Sequence, residues 1–427
     1  ITVVTICRHG TLMPQLPRAL QQRLRSLILA GLYTSFTSGT FRNSLRPFAA
    51  LRAMEPMDPE KFVRNAMPGE CRSVTFSNEQ FMGFSGATVA DVHIANMSQL
   101  LFLKIIEPAP LAETASDAER HKWTRNLQSY GNELAFFTDK NIQQALDENG
   151  VRIPKLWGSE AIPGTRYAIL TENLKSEWST FAVHPAVRTP EVLRWLGYFH
   201  AAFQGKVPEN HGLWDFGTHV HLQRRPNGEL DGLPRSISDF CDALQDEDPF
   251  LQRSTSRALG HRLRHVASWV SEHLTPGPQN EKRLTLVHGD FKGANYFLKN
   301  EGEGCCAFDW QWTGPGIGAT DLIYLFCGSV EDEIVRDYET WLKLYHSQLP
   351  SDQYTFDEFL FDFKIATLDY ARWVFAYRLV GDTPEKFRKR AENVDVNLGF
   401  FRRHLPRIIW LLQLVEEFLP EVEARCD

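Results

Sequence analysis

The spacing of hydrophobic and polar positions divides the chain into a strand-rich part and a helix-rich part. Short apolar runs punctuated by glycine come first and predict an antiparallel meander of strands. Later, apolar residues recur at intervals of three and four, the spacing of amphipathic helices. Strands are predicted at 72–107, 154–157 and 166–174, and helices at 57–67, 126–146, 190–205 and 255–274. The pattern therefore predicts an α+β protein with a small antiparallel lobe, containing one long helix, before a larger, mainly helical lobe.

The same pattern predicts three segments. Residues 1–56 are expected to be an N-terminal extension, partly helical at "PRALQQRLRSLILAGLY" (17–33). Residues 57–175 are expected to form the strand-rich lobe, and residues 176–427 the helical lobe. The hinge between the lobes is expected around residues 172–178.

Composition and charge are those of an ordinary globular protein. With a net charge of -7 and no broad basic face, the chain is not expected to bind nucleic acid, where phosphate neutralisation dominates. The seven cysteines show no metal-ligand spacing, which indicates reduced, buried thiols and a cytoplasmic location. The apolar run at 408–412 is too short to span a membrane, so we expect it to belong to a buried helix.

The stretch "LVHGDFKGANYFLK" places polar side chains between two apolar runs. We predict strands over 283–287 and 296–299 around this loop, followed by a strand over 305–310. The resulting hairpin would carry Asp290 and Asn295 at one end and Asp309 at the other. Because hairpin strands lie about 4.8 Å apart, these side chains can converge on one point. Their hard oxygen donors suit Mg²⁺ that is also held by substrate phosphates.

The segment "HGDFKGAN", followed by "AFDWQ", resembles the catalytic and metal-binding segments of a group of related kinase families. These are the aminoglycoside phosphotransferases, the choline kinases and the ecdysteroid-kinase-like (CHK kinase-like) family, which share the protein-kinase-like fold. The resemblance implies that Asp290 accepts, or orients through, the proton of an acceptor hydroxyl. It also implies that Asn295 and Asp309 hold Mg²⁺ and that Lys292 neutralises charge on the transferring phosphoryl group.

Upstream parts that a phosphotransferase of this fold needs occur in the required order. They are Gly83, Ser85 and Gly86 in "GFSGAT", Lys104 in "LFLKII", Glu133 in "YGNELAFF", and Glu172 and Leu174 in "YAILTENL". The resemblance implies a glycine turn over the phosphates, a strand lysine paired with a helix glutamate, and a hinge whose backbone binds adenine. Since Lys104 lies in an apolar run, where an unpaired ammonium would be costly, a partner is expected.

Four further features carry narrower predictions. His288 is expected to brace the loop by hydrogen bonding, and Asp321 to begin a helix as a structural acid. The stretch "GPGIGA" (314–319) is expected to be a turn, because it does not open the β-α-β unit of a dinucleotide-binding motif. The aromatic residues of "DYARWVFAYRL" (369–379) have helical spacing, so they fit either the core or an acceptor pocket.

The resemblance implies an ATP-dependent kinase, with Mg²⁺, that transfers the γ-phosphoryl group to a hydroxyl of a small molecule. The glycine turn is not the full GxGxxG of protein kinases, and no APE-like segment follows Asp309. Both departures favour a small-molecule acceptor over a protein. No membrane span is expected, and the chain is expected to be a monomer or homodimer.

Two alternatives remain open at this point. One is a pseudokinase, a nucleotide-binding or interaction module without chemistry. The complete set of candidate residues argues against it, because lost catalysis usually shows as a missing member. The other is a histidine-phosphatase-like enzyme, suggested by "RHG" at residues 8–10. The second arginine expected shortly after that glycine is absent, which disfavours this alternative.

Overall fold

The computed structural model describes residues 56–69, 73–82, 86–95, 97–209, 211–350, 352–392 and 403–426. Apart from Pro56, these belong to one compact unit, Met57–Asp427. The predicted helix at 17–33, the "RHG" motif, and both Gly83 and Ser85 lie outside the described residues.

The strand-rich lobe contains an antiparallel sheet. Its strands are β1 (Val74–Met82), β2 (Ala87–Ile94), β3 (Leu101–Ile106), β4 (Leu156–Ile162) and β5 (Arg166–Glu172). They lie in the order β1-β2-β3-β5-β4, which confirms the predicted meander and the later strands. The central strands β3 and β5 are largely buried, in keeping with their nearly continuous apolar sequences. In this register Lys104 of β3 lies opposite Ile169 of β5.

Three helices accompany this sheet in the described part of the lobe. They are α1 (Pro59–Ala66), α2 (Asp117–Thr138) and α3 (Lys140–Glu148). The single helix predicted at 126–146 is therefore wrong, because the chain breaks at Asp139. The Asp139 side chain accepts hydrogen bonds from the backbone N–H groups of Asn141 and Ile142, so it caps a new helix.

The second lobe is mainly helical. Its helices are α4 (Thr189–Phe203), α5 (Leu233–Leu244), α6 (Pro249–Gln252), α7 (Ser254–Leu274), α8 (Ala319–Gly328), α9 (Asp332–Arg336), α10 (Tyr338–His346), α11 (Phe356–Trp373), α12 (Pro384–Ala391) and α13 (Leu405–Cys426). Helix α11 packs against α7, α8 and α13, and their apolar faces form most of the core. The predicted helices at 190–205 and 255–274 are confirmed. The run at 408–412 lies within α13, where Ile408 and Leu412 are buried as predicted.

Short strands in the second lobe carry the polar loop identified in the sequence. They are β6 (Trp178–Ser179), β7 (Leu284–Val287), β8 (Tyr296–Lys299), β9 (Cys305–Ala307) and β10 (Gly314–Ile317). Strands β8 and β9 form the predicted hairpin, but β7 pairs with β10 instead of joining it. The prediction of a turn at 314–319 is therefore wrong, since most of this stretch is the partner strand of β7.

The cysteines and the apolar character of the helices bear on the predictions made from composition. Within the described ranges the cysteines are free, and four of these five are buried, as predicted for thiols. None of the described helices is long and apolar enough to cross a membrane. The antiparallel sheet of the first lobe and the helices of the second lobe make this the predicted two-lobed, protein-kinase-like α+β fold.

Candidate active site

Lys104 connects three elements of the fold. Its Nζ donates a hydrogen bond to Oε2 of Glu133, on α2, at 2.8 Å. The same Nζ donates to Oδ1 of Asp309, just beyond β9, at 2.9 Å. The Lys104 side chain is 11% exposed, so the partner expected from its apolar surroundings is present, and there are two.

The three charges shift one another's pKa values. Burial lowers the pKa of Lys104, but attraction to Asp309 and Glu133 outweighs it and leaves that pKa raised. Burial raises the pKa of Glu133, and Lys104 offsets this only in part. Burial also raises the pKa of Asp309, yet Lys104, assisted by Lys292 and His288, lowers it below its ordinary value. Asp309 is therefore held as a carboxylate, the form that a cation needs.

Helix α2 is fixed against the segment that follows Asp309. The Nδ2 of Asn132 donates to the backbone carbonyl of Thr313 at 2.6 Å. One turn further along, the ring of Phe136 stacks on Trp310 with centroids 3.9 Å apart. Glu133 lies between these two contacts on the helix, so its carboxylate is oriented toward Lys104 by side chains on either side of it.

Asp309 has an uncommon backbone conformation. Its φ of +66° lies in the left-handed region, which non-glycine residues rarely adopt. The surrounding loop fixes the residue before it, because Phe308 N donates to the carbonyl of Asn295 at 2.9 Å. Phe308 O in turn is 2.9 Å from Nε2 of His288. Such conformations persist where neighbours hold them, and they concentrate at functional sites.

The catalytic-loop candidates form a second set of contacts around Asp290. Its Oδ2 accepts from Lys292 Nζ at 2.7 Å and from Asn295 Nδ2 at 2.8 Å. Its Oδ1 is buried and has no hydrogen-bond partner in the described part of the chain. Burial, followed by the nearby charge of Asp290, raises the pKa of Tyr324. Oδ1 of Asp290 is therefore a buried acceptor that no described donor satisfies.

Asp321 fixes the backbone of the two residues that precede Asp290. Oδ2 of Asp321 accepts from His288 N at 2.6 Å, and Oδ1 accepts from Gly289 N at 2.9 Å. Asp321 lies in the first turn of α8, so its position agrees with the predicted structural role. His288 also accepts from Asp290 N through Nδ1 at 3.3 Å, consistent with the predicted bracing. Gly289 has φ of +80°, and a Cβ there would approach Trp312 O to 2.2 Å.

Asn295 and Asp309 each keep one oxygen available. The side-chain hydrogen bonds of Asn295 use its Nδ2, and that of Asp309 uses its Oδ1. Their other oxygens make no hydrogen bond within the described ranges. No group of three or more His, Cys, Asp or Glu suited to a metal occurs there either. A cation held at these oxygens would therefore need further ligands from outside the protein, as Mg²⁺ with nucleotide phosphates does.

Besides Lys104 and Glu133, the structure describes three of the nucleotide-binding candidates, namely Gly86, Glu172 and Leu174. Gly86 has φ of +67° and donates its N–H to Met82 O at 2.8 Å, which closes the turn between β1 and β2. Glu172 N donates to Lys155 O at 2.8 Å. Since this N–H already has a partner, the predicted backbone contact of Glu172 with adenine would use its carbonyl oxygen. The N–H of Leu174 makes no hydrogen bond among the described residues.

Two groups near the site were missed by the sequence analysis. Thr218, with φ of +65°, donates from Oγ1 to Gly289 O at 3.0 Å and from N to Trp312 O at 2.8 Å. The segment around Thr218 therefore lies directly on the catalytic loop. Two arginines, Arg125 and Arg378, lie among aromatic rings nearby. The only sequence signal for the segment is a set of polar residues in "GTHVH", without regular spacing.

A strand lysine paired with a helix glutamate, an Asp and Asn on one loop, and a following Asp define the protein-kinase-like class. The chain belongs to the ecdysteroid kinase-like family, whose model matches residues 114–353. The resemblance found in the sequence is thereby confirmed. Comparison with curated proteins gives no match.

Solved structures with similar folds include three small-molecule kinases. The microcompartment-associated aminopropanol kinase is 13% identical, with a TM-score of 0.45, covering 85% of this chain and 98% of that one. The choline kinase LicA from Streptococcus pneumoniae is 13% identical, with a TM-score of 0.41 and coverages of 84% and 99%. The Plasmodium vivax ethanolamine kinase is 12% identical, with a TM-score of 0.39 and coverages of 82% and 85%. Scores below 0.5 do not assign a substrate.

Proposed function

We propose that this protein is an ATP-dependent small-molecule kinase that transfers the γ-phosphoryl group to a hydroxyl of its acceptor. Membership of the ecdysteroid kinase-like family supports the reaction class. The protein itself does little covalent chemistry in phosphoryl transfer. Catalysis depends on positioning the nucleotide and the hydroxyl and on stabilising the charge of the transferring group.

Each side chain of the site has a role in this proposal. Asp290 accepts or orients the proton of the acceptor hydroxyl, and Lys292 stabilises charge on the phosphoryl group. Asn295 and Asp309 fit Mg²⁺ through their available oxygens, and the metal would neutralise charge on the nucleotide phosphates. Lys104, held by its ion pair with Glu133, would bind those phosphates.

The nucleotide itself is assigned to the strand-rich lobe. Gly83, Ser85 and Gly86 would form the glycine turn that covers the phosphates. The carbonyl of Glu172 and the N–H of Leu174 would bind the edge of adenine, which needs one acceptor and one donor. Gly86 supports this assignment through its left-handed backbone directly before β2.

One observation carries the proposal most directly, namely the state of the Asp290 carboxylate. Its Oδ2 is oriented by Lys292 and Asn295, while its buried Oδ1 lacks a partner among the described residues. Burying an acceptor oxygen without a partner costs about 1–3 kcal/mol, so such an oxygen calls for an explanation. A donor hydroxyl from the acceptor molecule would supply the missing hydrogen bond.

The test compares Asp290→Asn with the wild-type chain. We expect MgATP to raise the melting temperature of both proteins, since the nucleotide contacts lie elsewhere. ADP release on adding a panel of hydroxyl-bearing metabolites should fall by about 10²–10⁴-fold in the variant, the usual contribution of a positioned general base. Asp352→Asn, at an exposed position, is the matched control.

The possible outcomes separate the candidate functions. ADP release at near-normal rates by Asp290→Asn would overturn the proposed mechanism. Stabilisation by MgATP without ADP release from any alcohol would instead support a pseudokinase. If millimolar MgATP leaves the melting temperature of the wild-type protein unchanged, both kinase-fold functions are contradicted.

A further inference from the structure

A cluster of arginines and aromatic rings lies beside the catalytic loop. We define the arginine–aromatic cluster as Arg125, His219, Trp312, Trp373, Tyr377 and Arg378. Its link to the reacting centre is short, because Thr218, the neighbour of His219, donates a hydrogen bond to Gly289 O at 3.0 Å. Gly289 directly precedes Asp290, so the cluster borders the position proposed for the acceptor hydroxyl.

Three rings of the cluster lie next to one another, with His219 beside both Trp312 and Trp373. The His219 ring lies 4.9 Å from the ring of Trp312 and 5.3 Å from that of Trp373. The Arg125 guanidinium lies 5.6 Å from the Trp312 centroid, and that of Arg378 lies 4.8 Å from the Trp373 centroid. Each arginine thus sits over a tryptophan, and His219 lies between the two tryptophans.

The two arginines lack counter-ions. Neither Arg125 nor Arg378 makes an ion pair or a side-chain hydrogen bond in the described part of the chain, and the Nε of each is buried without a partner. Glu229, a carboxylate whose charge acts on Arg125, is paired with Arg225 at 2.8 Å and with Arg372 at 3.3 Å. The cluster therefore carries positive charge that the described protein does not neutralise.

The His219 imidazole is a second unpartnered polar group here. The residue is 6% exposed, and its Nδ1 has no hydrogen-bond partner within the described ranges. Burial, and after it the charges of Arg378 and Arg125, lowers the pKa of His219 well below its usual value. A neutral imidazole can accept or donate one hydrogen bond at Nδ1, so it could bind a polar group of the same ligand.

The backbone at Tyr377 and Arg378 is also unusual. Helix α11 ends in a π-helical segment, Val374–Arg378, a geometry that is rare and often found at functional sites. Within it Val374 and Phe375 are buried, whereas Tyr377 is 43% exposed. The aromatic segment at 369–379 thus contributes side chains both to the core and to the arginine–aromatic cluster.

We propose that the acceptor of this kinase is an alcohol that also carries an anionic group, such as a carboxylate or sulfate, bound on the arginine–aromatic cluster. The proposal rests on the proposed kinase function. Arg125 and Arg378 would hold the anion through charge-assisted hydrogen bonds, which are about twice as strong as neutral ones. The tryptophan and tyrosine rings would contact the apolar frame, and a cationic acceptor would be repelled.

The experiment uses three para-substituted benzyl alcohols that carry a negative charge, no charge and a positive charge. They are 4-(hydroxymethyl)benzoate, 4-(hydroxymethyl)benzamide and 4-(aminomethyl)benzyl alcohol. Their binding to the full chain is measured by ligand-observed NMR titration without nucleotide, so the result does not depend on turnover. We expect the benzoate to bind at least 10-fold more tightly than the amide, and the amine to bind most weakly.

Variants then locate the preference. In Arg125→Gln/Arg378→Gln we expect the benzoate and the amide to bind within about 2-fold of each other, because the charges that favour the anion are gone. Arg235→Gln is the control, since the Arg235 side chain is 85% exposed and its one partner in the described part of the chain, Asp239, lies on the same helix. It should keep the full preference for the anion.

The outcomes distinguish this proposal from its alternatives. Equal binding of the benzoate and the amide by the wild-type chain, or a preference that survives the double substitution, would overturn it. If the double variant instead weakens MgATP binding and leaves the anion preference intact, the arginines serve the nucleotide phosphates and the proposal is also overturned. An anion preference that the variant abolishes, without ADP release from any alcohol, supports this site and contradicts the kinase function.

Discussion

Lys104 and Arg125 are two cations near the site, and only Lys104 is paired with carboxylates among the described residues. Lys104 is paired with both Glu133 and Asp309, and these carboxylates outweigh its burial and raise its pKa. Arg125 lies on α2, two turns before Glu133, and has no carboxylate partner among the described residues. Burial, followed by the charge of Arg225, lowers the pKa of Arg125 to about 10.

The difference separates architecture from recognition. A buried cation with two partners fixes the relative positions of a strand, a helix and a loop, and any loss of a partner leaves an uncompensated charge. A cation without a partner adds little to the fold and carries an electrostatic cost until a ligand arrives. Natural proteins tolerate such costs at binding sites, where stability is exchanged for function. The predictions below test this contrast.

The largest effect is expected at the paired cation. Lys104→Met leaves the carboxylates of Glu133 and Asp309 facing each other, so we expect the free energy of unfolding to fall by about 3–5 kcal/mol. Chemical denaturation monitored by tryptophan fluorescence measures this loss. Adding Glu133→Gln in the same chain should restore part of it, because one of the two unpaired charges is then removed.

The loss in Lys104→Met should also depend on pH in a defined direction. Without the lysine, the pKa of each carboxylate in the folded state rises above its unfolded value, as burial already does for Glu133. A raised carboxylate pKa disfavours folding once the pH exceeds the unfolded pKa, so the deficit should grow between about pH 5 and pH 8. A deficit that is constant over this range would contradict the electrostatic explanation.

An intermediate effect is expected at Arg225, a paired neighbour of Arg125. Arg225 is 5% exposed and donates to Glu229 at 2.9 Å. Arg225→Gln should reduce the free energy of unfolding by about 2 kcal/mol, less than the usual loss for a broken buried pair because Arg372 still compensates Glu229. A denaturant titration beside Arg235→Gln provides the comparison. No loss in Arg225→Gln would place this arginine with the unpaired group.

The region around Lys104 and the catalytic loop was also more predictable from sequence than the arginine–aromatic cluster. Lys104 in an apolar run demanded a partner, and the spacing in "HGDFKGAN" matched a known catalytic segment. The fold class, the β8–β9 hairpin and the position of Asp321 at the start of a helix could be anticipated because each depends on local pattern or on a short motif. The break of the long helix was missed, since Asp139 competes with helix continuation only through its side-chain cap.

The arginine–aromatic cluster gave almost no sequence signal. Arg125, His219 and Arg378 are far apart in the chain, and each looks like an ordinary residue of its own helix or loop. Their meeting depends on Thr218 docking against the catalytic loop and on the π-helical end of α11. Likewise, the pairing of β7 with β10 is a contact between separated segments that periodicity cannot show. Long-range packing decides these features, and local pattern does not encode it.

The smallest effect, and the one of opposite sign, is expected at Arg125. Arg125→Gln removes repulsion from Arg225 and a burial cost, but it also loses the contact with Trp312, worth about 0.5–1 kcal/mol. We expect the melting temperature of the ligand-free protein to rise by about 1–2 °C. Calorimetry of both proteins measures this difference. A melting temperature that falls would mean that Arg125 supports the fold as Lys104 does, and the contrast between the two cations would be lost.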